Sequence, residues 1–224
     1  MSELHVLRVF CNAQWGFGNP LGVFLDGHEV PEERRQAIAA ELGFSETVFV
    51  DDPESGRMRI FTPGLELDFA GHPSVGTAWL LGKERAPVAT LRPPAGEVAV
   101  RVDGGRTFVA ARPEWGPEWK LIQLEDAFAV EETTEPPEGE ELACVWAWVD
   151  DAEGTVRSRC FSLEDGIGED EATGSAAICL CAALERDIEI LQGRGSRLDA
   201  RYLDEGRAEV GGRVVLDAVR DFQV

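Results

Sequence analysis

The sequence predicts an α+β fold of two lobes, each a curved, mainly antiparallel sheet wrapped around one buried helix. Three observations support this prediction. Two predicted helices, over residues 73–81 and 176–184, are small or apolar on every side, and a helix without a polar face must be enclosed by protein. Most other apolar segments have the length and alternation of strands. The succession of strand, small-residue loop and apolar helix occurs twice, once in each half of the chain.

The first half of the chain consists of predicted strands interrupted by two helices. The strands are expected over residues 4–11, 21–25, 47–50, 57–61 and 66–69. Pro31 begins a helix that runs to Leu42, and Gly43 ends it, which is the usual placement of proline and glycine at helix ends. The first apolar helix follows the loop 70–72, with Pro73 in its first turn.

The second half repeats this arrangement around the second apolar helix. Strands are expected over residues 98–102, 107–111, 143–149 and 208–218, the last with a turn at Gly211 and Gly212. An acidic loop over 164–171 leads into the helix, and the Pro/Glu-rich stretch 131–141 is a predicted surface loop. We expect an N-terminal lobe over residues 1–114 and a C-terminal lobe over residues 115–224. The sequence leaves open whether the last strand returns to the first lobe.

Composition excludes several classes of function. The 224 residues include 42 acidic and 21 basic side chains, giving a net charge of −21, which disfavours binding to nucleic acid or to an anionic membrane surface. No apolar run is long enough for a membrane helix, and the first residues lack the features of a signal peptide. The five cysteines are odd in number and scattered, and the three histidines lie far apart. We therefore expect a soluble, cytoplasmic protein without a metal site or disulfide framework.

The starts of the two apolar helices are the first candidate for a binding site. Gly71 lies in one start, and Thr173 and Gly174 lie in the other. Helix N-termini offer free backbone N–H donors and the positive end of the helix dipole. If the two ends face each other, they form a site for a carboxylate or a developing oxyanion. The alternative, that both are ordinary helix starts, stays open.

Four side chains near these helix starts are candidates for chemistry, and each has a purely structural alternative. Glu46 is either a reactive carboxylate or a solvated charge at the start of a strand, and His72 either binds a ligand or caps its helix. Asp170 lies in an acidic run, where most members are solvated, and Ser175 either donates to a ligand or serves only the helix start. No nucleotide-binding loop, nucleophile elbow or zinc-protease motif is present.

Six segments, in order and spread over nearly the whole chain, resemble the PhzF-like family of phenazine biosynthesis. They are residues 18–24 (GNPLGVF), 44–49 (FSETVF), 59–63 (RIFTP), 69–73 (FAGHP), 169–177 (EDEATGSAA) and 192–193 (QG). The resemblance implies the diaminopimelate-epimerase fold, with two pseudo-symmetric lobes and one central helix in each. It also implies a homodimer.

The resemblance further implies the activity and the roles of the site residues. PhzF-type enzymes isomerise trans-2,3-dihydro-3-hydroxyanthranilate without a cofactor. Glu46 falls on the glutamate that shuttles the proton, and His72, Asp170 and Ser175 fall on groups that bind and polarise the substrate. We expect desolvation to raise the basicity of Glu46, and Asp170 to lie beside His72 and orient its imidazole.

Departures from the family pattern leave two alternatives open. Epimerases of this fold use two cysteines as base and acid, and this chain carries Ala70 and Thr173 at those positions, which argues against two-thiol racemisation. Glu171 replaces a proline that family members usually carry, the chain is short, and the segment after Gln192 and Gly193 is abbreviated. The alternatives are an amino-acid epimerase or racemase, and a metabolite-binding protein without catalysis.

Overall fold

The computed structural model describes residues 1–163, 168–204 and 206–224. The first four residues of the predicted acidic loop 164–171 lie outside the described residues. Four α-helices are described: α1 (Glu32–Leu42), α2 (Gly71–Glu84), α3 (Ala127–Glu132) and α4 (Gly174–Leu184). Two short 3-10 helices cover Gly27–Glu29 and Pro113–Trp115.

Strands account for most of the other regular structure. Those of the first half are β1 (Ser2–Cys11), β2 (Asn19–Phe24), β3 (Glu46–Asp52), β4 (Arg57–Phe61), β5 (Glu66–Leu67), β6 (Thr90–Leu91), β7 (Val98–Asp103) and β8 (Arg106–Ala111). Those of the second half are β9 (Lys120–Gln123), β10 (Leu142–Asp150), β11 (Thr155–Ser162), β12 (Gly168–Asp170), β13 (Ile188–Gln192), β14 (Ser196–Tyr202) and β15 (Ala208–Phe222).

The described strands form a continuous, mainly antiparallel sheet. Its main path runs β5-β4-β3-β2-β1-β15-β14-β13-β11-β10-β9, with β12 beside β11 and the β6-β7-β8 ribbon joined to β15. The parallel pairs in this sheet are β2 with β3, β9 with β10, and β11 with β13. The α+β architecture expected from the alternation of apolar residues is therefore present.

Strand β15 connects the two halves of the sheet. Its first residues, 208–212, pair with β8 and with β14, and residues 213–222 pair with β1. The predicted turn at Gly211 and Gly212 is wrong, because both residues lie inside this strand. The rings of Phe108 and Phe10 occupy the space that Cβ atoms at these glycines would need. The lobe boundary at residue 114 stays a prediction.

The helices α2 and α4 are enclosed by the sheet. Apolar side chains of both helices contribute to one buried core with β1, β2, β3, β8, β14 and β15. Both helices begin two residues earlier than their apolar segments suggest, at Gly71 and Gly174. His72 and Ser175 therefore lie in the first turns of these helices, close to the contact between the two helix starts.

Candidate active site

The two central helices meet N-terminus to N-terminus, and glycines allow the contact. A Cβ atom on Gly174 would lie 2.7 Å from the backbone N of His72 and 2.8 Å from the carbonyl carbon of Gly71. Because the two starts are in contact, both positive helix ends are directed to the same region. Neither helix has a side-chain N-cap, so no capping side chain occupies its first backbone N–H groups. Gly71 and Gly174, which we expected to bind substrate, lie in this contact.

A cavity of about 70 Å³ opens beside this contact, with walls from both halves of the chain. Its described lining residues are Glu46, Leu67, Phe69, Ala70, Pro117, Trp119, Leu142, Ser162, Asp170, Thr173 and Ser175. The candidates Glu46, Asp170 and Ser175 are far apart in the sequence, and the fold places all three in the lining of this cavity. His72 is not among the lining residues, since its side chain is only 2% exposed.

Glu46, which lines the cavity, forms a buried ion pair with His72, which does not. Glu46 is the first residue of β3, and its Oε2 lies 2.8 Å from Nδ1 of His72. The other ring nitrogen, Nε2, lies 3.2 Å from the backbone carbonyl oxygen of Asn19. When Glu46 is ionised both neighbours are acceptors, so this geometry favours donation from both ring nitrogens and an imidazolium at His72. His72 therefore contacts Glu46 and not the cavity.

The ion pair determines the protonation of both partners. Burial raises the pKa of Glu46, but the charge and hydrogen bond of His72, together with a hydrogen bond from Ser45, hold that pKa below its usual value. Burial lowers the pKa of His72, but Glu46, with the charge of Asp170 and the Asn19 carbonyl, raises it above its usual value. The expectation that desolvation makes Glu46 more basic is wrong for this arrangement, because the adjacent imidazolium stabilises the carboxylate.

Asp170, at the end of β12, also lines the cavity and is held by two donors. Nδ2 of Asn19 donates to its Oδ1 at 2.7 Å, and the Thr173 hydroxyl donates to its Oδ2 at 2.6 Å. Burial, reinforced by the charge of Glu46, raises the pKa of Asp170 to about 7. We expected Asp170 to orient the imidazole of His72, but the hydrogen-bond partners of that ring are Glu46 and Asn19. Asp170 acts on His72 through its charge.

The start of α4 is held by side chains from two other segments. Nε1 of Trp119 donates to the Ser175 hydroxyl at 3.0 Å. Oε1 of Gln192 accepts from the backbone N of Thr173 at 3.1 Å, and Nε2 of Gln192 donates to the Thr173 hydroxyl at 2.8 Å. These contacts fix the orientation of both hydroxyls at the cavity wall.

Three residues of this network were not among the sequence-predicted site residues. Asn19 bridges His72 and Asp170, Gln192 orients Thr173, and Trp119 contacts Ser175. Asn19 and Gln192 lie in segments that carried the family resemblance, so the motifs contained a usable signal. Trp119 lies outside every such segment, and no sequence pattern identified it.

The raised pKa of Asp170 predicts a pH-dependent stability. Its native value of about 7 lies above its ordinary value of 3.8, so between these values the native state binds more protons than the unfolded state. This contribution to stability is lost as pH rises from about 4 through 7, by at most on the order of 4 kcal/mol. Asp170→Asn cannot ionise, and we expect its stability to increase relative to wild type between pH 5 and pH 8.

The measurement is urea unfolding of both proteins at several pH values. Asp221→Asn, at an exposed position of β15, is the matched control and should follow the wild-type pH dependence. Parallel pH profiles for Asp170→Asn and wild type would contradict the buried, proton-binding Asp170.

Two further observations on the described residues concern metal binding and membrane insertion. Within ranges 1–163, 168–204 and 206–224, no group of three or more His, Cys, Asp or Glu side chains is arranged to hold a metal ion. No helix in the described part of the chain is long and apolar enough to cross a membrane.

Comparison with known proteins connects this site to a family. The sequence profile described as "phenazine biosynthesis-like protein" matches residues 8–112. A trans-2,3-dihydro-3-hydroxyanthranilate isomerase from Pseudomonas fluorescens is 33% identical, and the aligned region covers 86% of this chain and 87% of the relative.

Solved structures agree on the fold. The crystal structure of a PhzF-family phenazine biosynthesis protein from Bacillus anthracis has a TM-score of 0.81 at 21% identity, covering 100% of this chain and 99% of that one. A PhzF-family protein from Enterococcus faecalis has a TM-score of 0.80 at 24% identity, with complete coverage of both chains. The chain therefore belongs to the PhzF-like family of isomerases and has its α+β, diaminopimelate-epimerase-like fold.

Proposed function

We propose that this chain is a cofactor-independent isomerase that moves a proton between carbons of a small cyclic metabolite carrying a carboxylate and an amine. Trans-2,3-dihydro-3-hydroxyanthranilate, on which the Pseudomonas fluorescens relative acts, is the substrate proposed for testing. The observation that supports this most directly is the Glu46 carboxylate in the cavity wall, paired with an imidazolium and facing a second carboxyl group on Asp170.

Glu46 is the proposed proton carrier. Its carboxylate takes a proton from one substrate carbon, and the electron pair left behind delocalises into the ring. The same carboxylic acid then returns the proton to another carbon, so the atoms balance without an added reagent. His72 assists the return step, since a carboxylic acid beside an imidazolium releases its proton readily.

The side chains that line the cavity match such a ring chemically, although a substituted ring exceeds about 70 Å³ and the cavity must widen to admit it. Apolar side chains of Phe69, Trp119 and Leu142 line one part of it and would contact the ring carbons. The uncapped starts of α2 and α4, with the Ser175 hydroxyl, provide donors for a carboxylate. Asp170, with a pKa of about 7, is placed to accept from or donate to an amine or hydroxyl of the substrate.

The test is incubation of the purified protein with trans-2,3-dihydro-3-hydroxyanthranilate in D₂O, followed by NMR. We expect conversion to the isomer, with deuterium appearing at the carbon that receives the proton to the extent that Glu46 exchanges with solvent. An unchanged substrate that still raises the melting temperature would contradict the isomerase proposal for this compound. That outcome would favour the metabolite-binding alternative.

Location and assembly complete the proposal. The five cysteines are all free thiols, which supports the proposed cytoplasmic location, where thiols stay reduced.

The homodimer rests on the family resemblance, and native mass spectrometry tests it. A mass of one chain at micromolar concentration would contradict the dimer.

A further inference from the structure

Glu171 is adjacent to Asp170 in sequence, but it is not among the residues that line the cavity. Its carboxylate accepts from the backbone N of Arg194 at 3.1 Å and from the Ser196 hydroxyl at 2.8 Å. Arg194 lies in the short turn between β13 and β14, and Ser196 is the first residue of β14. The side chain of Glu171 is 13% exposed, so the carboxylate is largely shielded from water and held by these donors.

The hydrogen bonds continue from Ser196 to the first half of the chain. The Ser196 hydroxyl donates to Glu171 and accepts from the backbone N of Gly18 at 3.0 Å. Ser196 is fully buried. Gly18 has a φ of +91° and no space for a Cβ, which would lie 2.9 Å from Sγ of Cys11. The position of the Gly18 backbone is therefore tightly defined, and the Ser196 hydroxyl is part of what defines it.

Gly18 immediately precedes Asn19, which contacts both charged groups described above. The Asn19 carbonyl oxygen accepts from Nε2 of His72, and the Asn19 amide donates to Asp170. A shift of the Gly18–Asn19 backbone by a few tenths of an ångström would lengthen both hydrogen bonds. The contact of the Asn19 carbonyl with the imidazole, already 3.2 Å long, would weaken most, whereas the 2.7 Å bond from Asn19 to Asp170 would lengthen but persist.

We infer that Glu171 and Ser196 form a hydrogen-bonded relay that holds Asn19 in position, and that Glu171 is thereby a positioning residue for Glu46, His72 and Asp170. The relay deepens the proposed function, because it concerns the same site. It assigns a role to the acidic residue found where family members usually carry proline. The carboxylate of Glu171 supports the shortened β13–β14 turn and does not add a charge to the cavity wall.

The relay is tested by the titration of His72, which requires no substrate. The groups that face its ring are Glu46 from β3, Asp170 from β12 and the Asn19 carbonyl from β2. Ser196→Ala cuts the relay without changing any charge, and we expect the pKa of His72 to fall below its wild-type value. Glu171→Gln should change it in the same direction by less, because an amide retains one acceptor oxygen.

The measurement is the NMR titration of the ¹⁵N-labelled imidazoles, with the His72 signals assigned by their absence in His72→Gln. Arg194→Ala is the matched control. It removes a side chain that is 85% exposed and whose Nε lies 3.3 Å from Glu171, but it leaves the backbone donor of residue 194. His72 in this variant should titrate as it does in wild type. An unchanged His72 titration in Ser196→Ala would overturn the proposal.

A second readout uses the wild-type protein alone, in case a variant fails to fold. The Gly18 amide proton should exchange with D₂O as slowly as those of neighbouring β2, and exchange at the rate of an open loop would overturn the relay. If the isomerase assay succeeds, Ser196→Ala should lower kcat about 10-fold with little change in KM. If the assay fails, the titration and exchange results still decide the relay independently of the proposed function.

Discussion

Glu46→Gln is expected to lower turnover of the proposed substrate by about a thousand-fold, which is the usual contribution of a positioned acid–base group. The substitution keeps the size of the side chain and one oxygen within reach of Nδ1 of His72. It removes the group that accepts the proton, so the chemical step loses its carrier while the cavity keeps its shape. We expect KM to change little, because Glu46 provides a small part of the wall.

The measurement is steady-state kinetics of wild type and variant, with loss of substrate followed by NMR. Glu41→Gln is the matched control, since Glu41 is an exposed residue of α1 outside the site, and its kinetics should equal those of wild type. Glu46→Gln also leaves the His72 imidazolium without its counter-charge, so the melting temperature is recorded alongside. Turnover within a factor of three of wild type in a folded Glu46→Gln protein would refute the proposed role of Glu46.

Gly174→Ala is expected to produce the largest loss of stability. Its Cβ would lie 2.7 Å from the backbone N of His72 and 2.8 Å from the Gly71 carbonyl carbon. Both neighbours are backbone atoms at the start of a buried helix, so relief requires the two central helices to move apart. We expect destabilisation of about 3 kcal/mol, corresponding to a fall in Tm of roughly 10 °C for a chain of this length.

Gly82→Ala is the matched control for this substitution. Gly82 lies in the last turns of α2, where the nearest atom to an added Cβ is Cα of Pro87 at 3.9 Å. Alanine is a better helix former, so this variant should be neutral or more stable by about 0.5–1 kcal/mol. Thermal unfolding of the two variants distinguishes the close contact from a general effect of glycine removal. Equal Tm values for Gly174→Ala and wild type would show that the helices can separate freely.

Long elements with a regular pattern were predicted correctly from the sequence. The alternation of β1 and the all-apolar segments of α2 and α4 reflect burial that each element needs by itself. The sequence patterns did not predict α3 or the strands β6, β9, β11, β12, β13 and β14. These elements are short or carry charged residues, and long-range pairings stabilise them, such as β13 between β11 and β14. Gly211 and Gly212 were misread because glycine in a strand and glycine in a turn look the same locally.

The sequence by itself determined the fold class, the family and the set of side chains, including Glu46, Asp170 and Ser175, that come together at the cavity. Only the tertiary structure decided how these side chains pair. It places His72 behind Glu46 as an imidazolium, and it directs Glu171 to the β13–β14 turn. The physical reason is that the charge state of a buried group depends on its distance from other charges and on the water excluded around it. The Glu46–His72 pair joins residues 26 positions apart and the Asn19–Asp170 bond joins residues 151 positions apart, and no local pattern encodes these contacts.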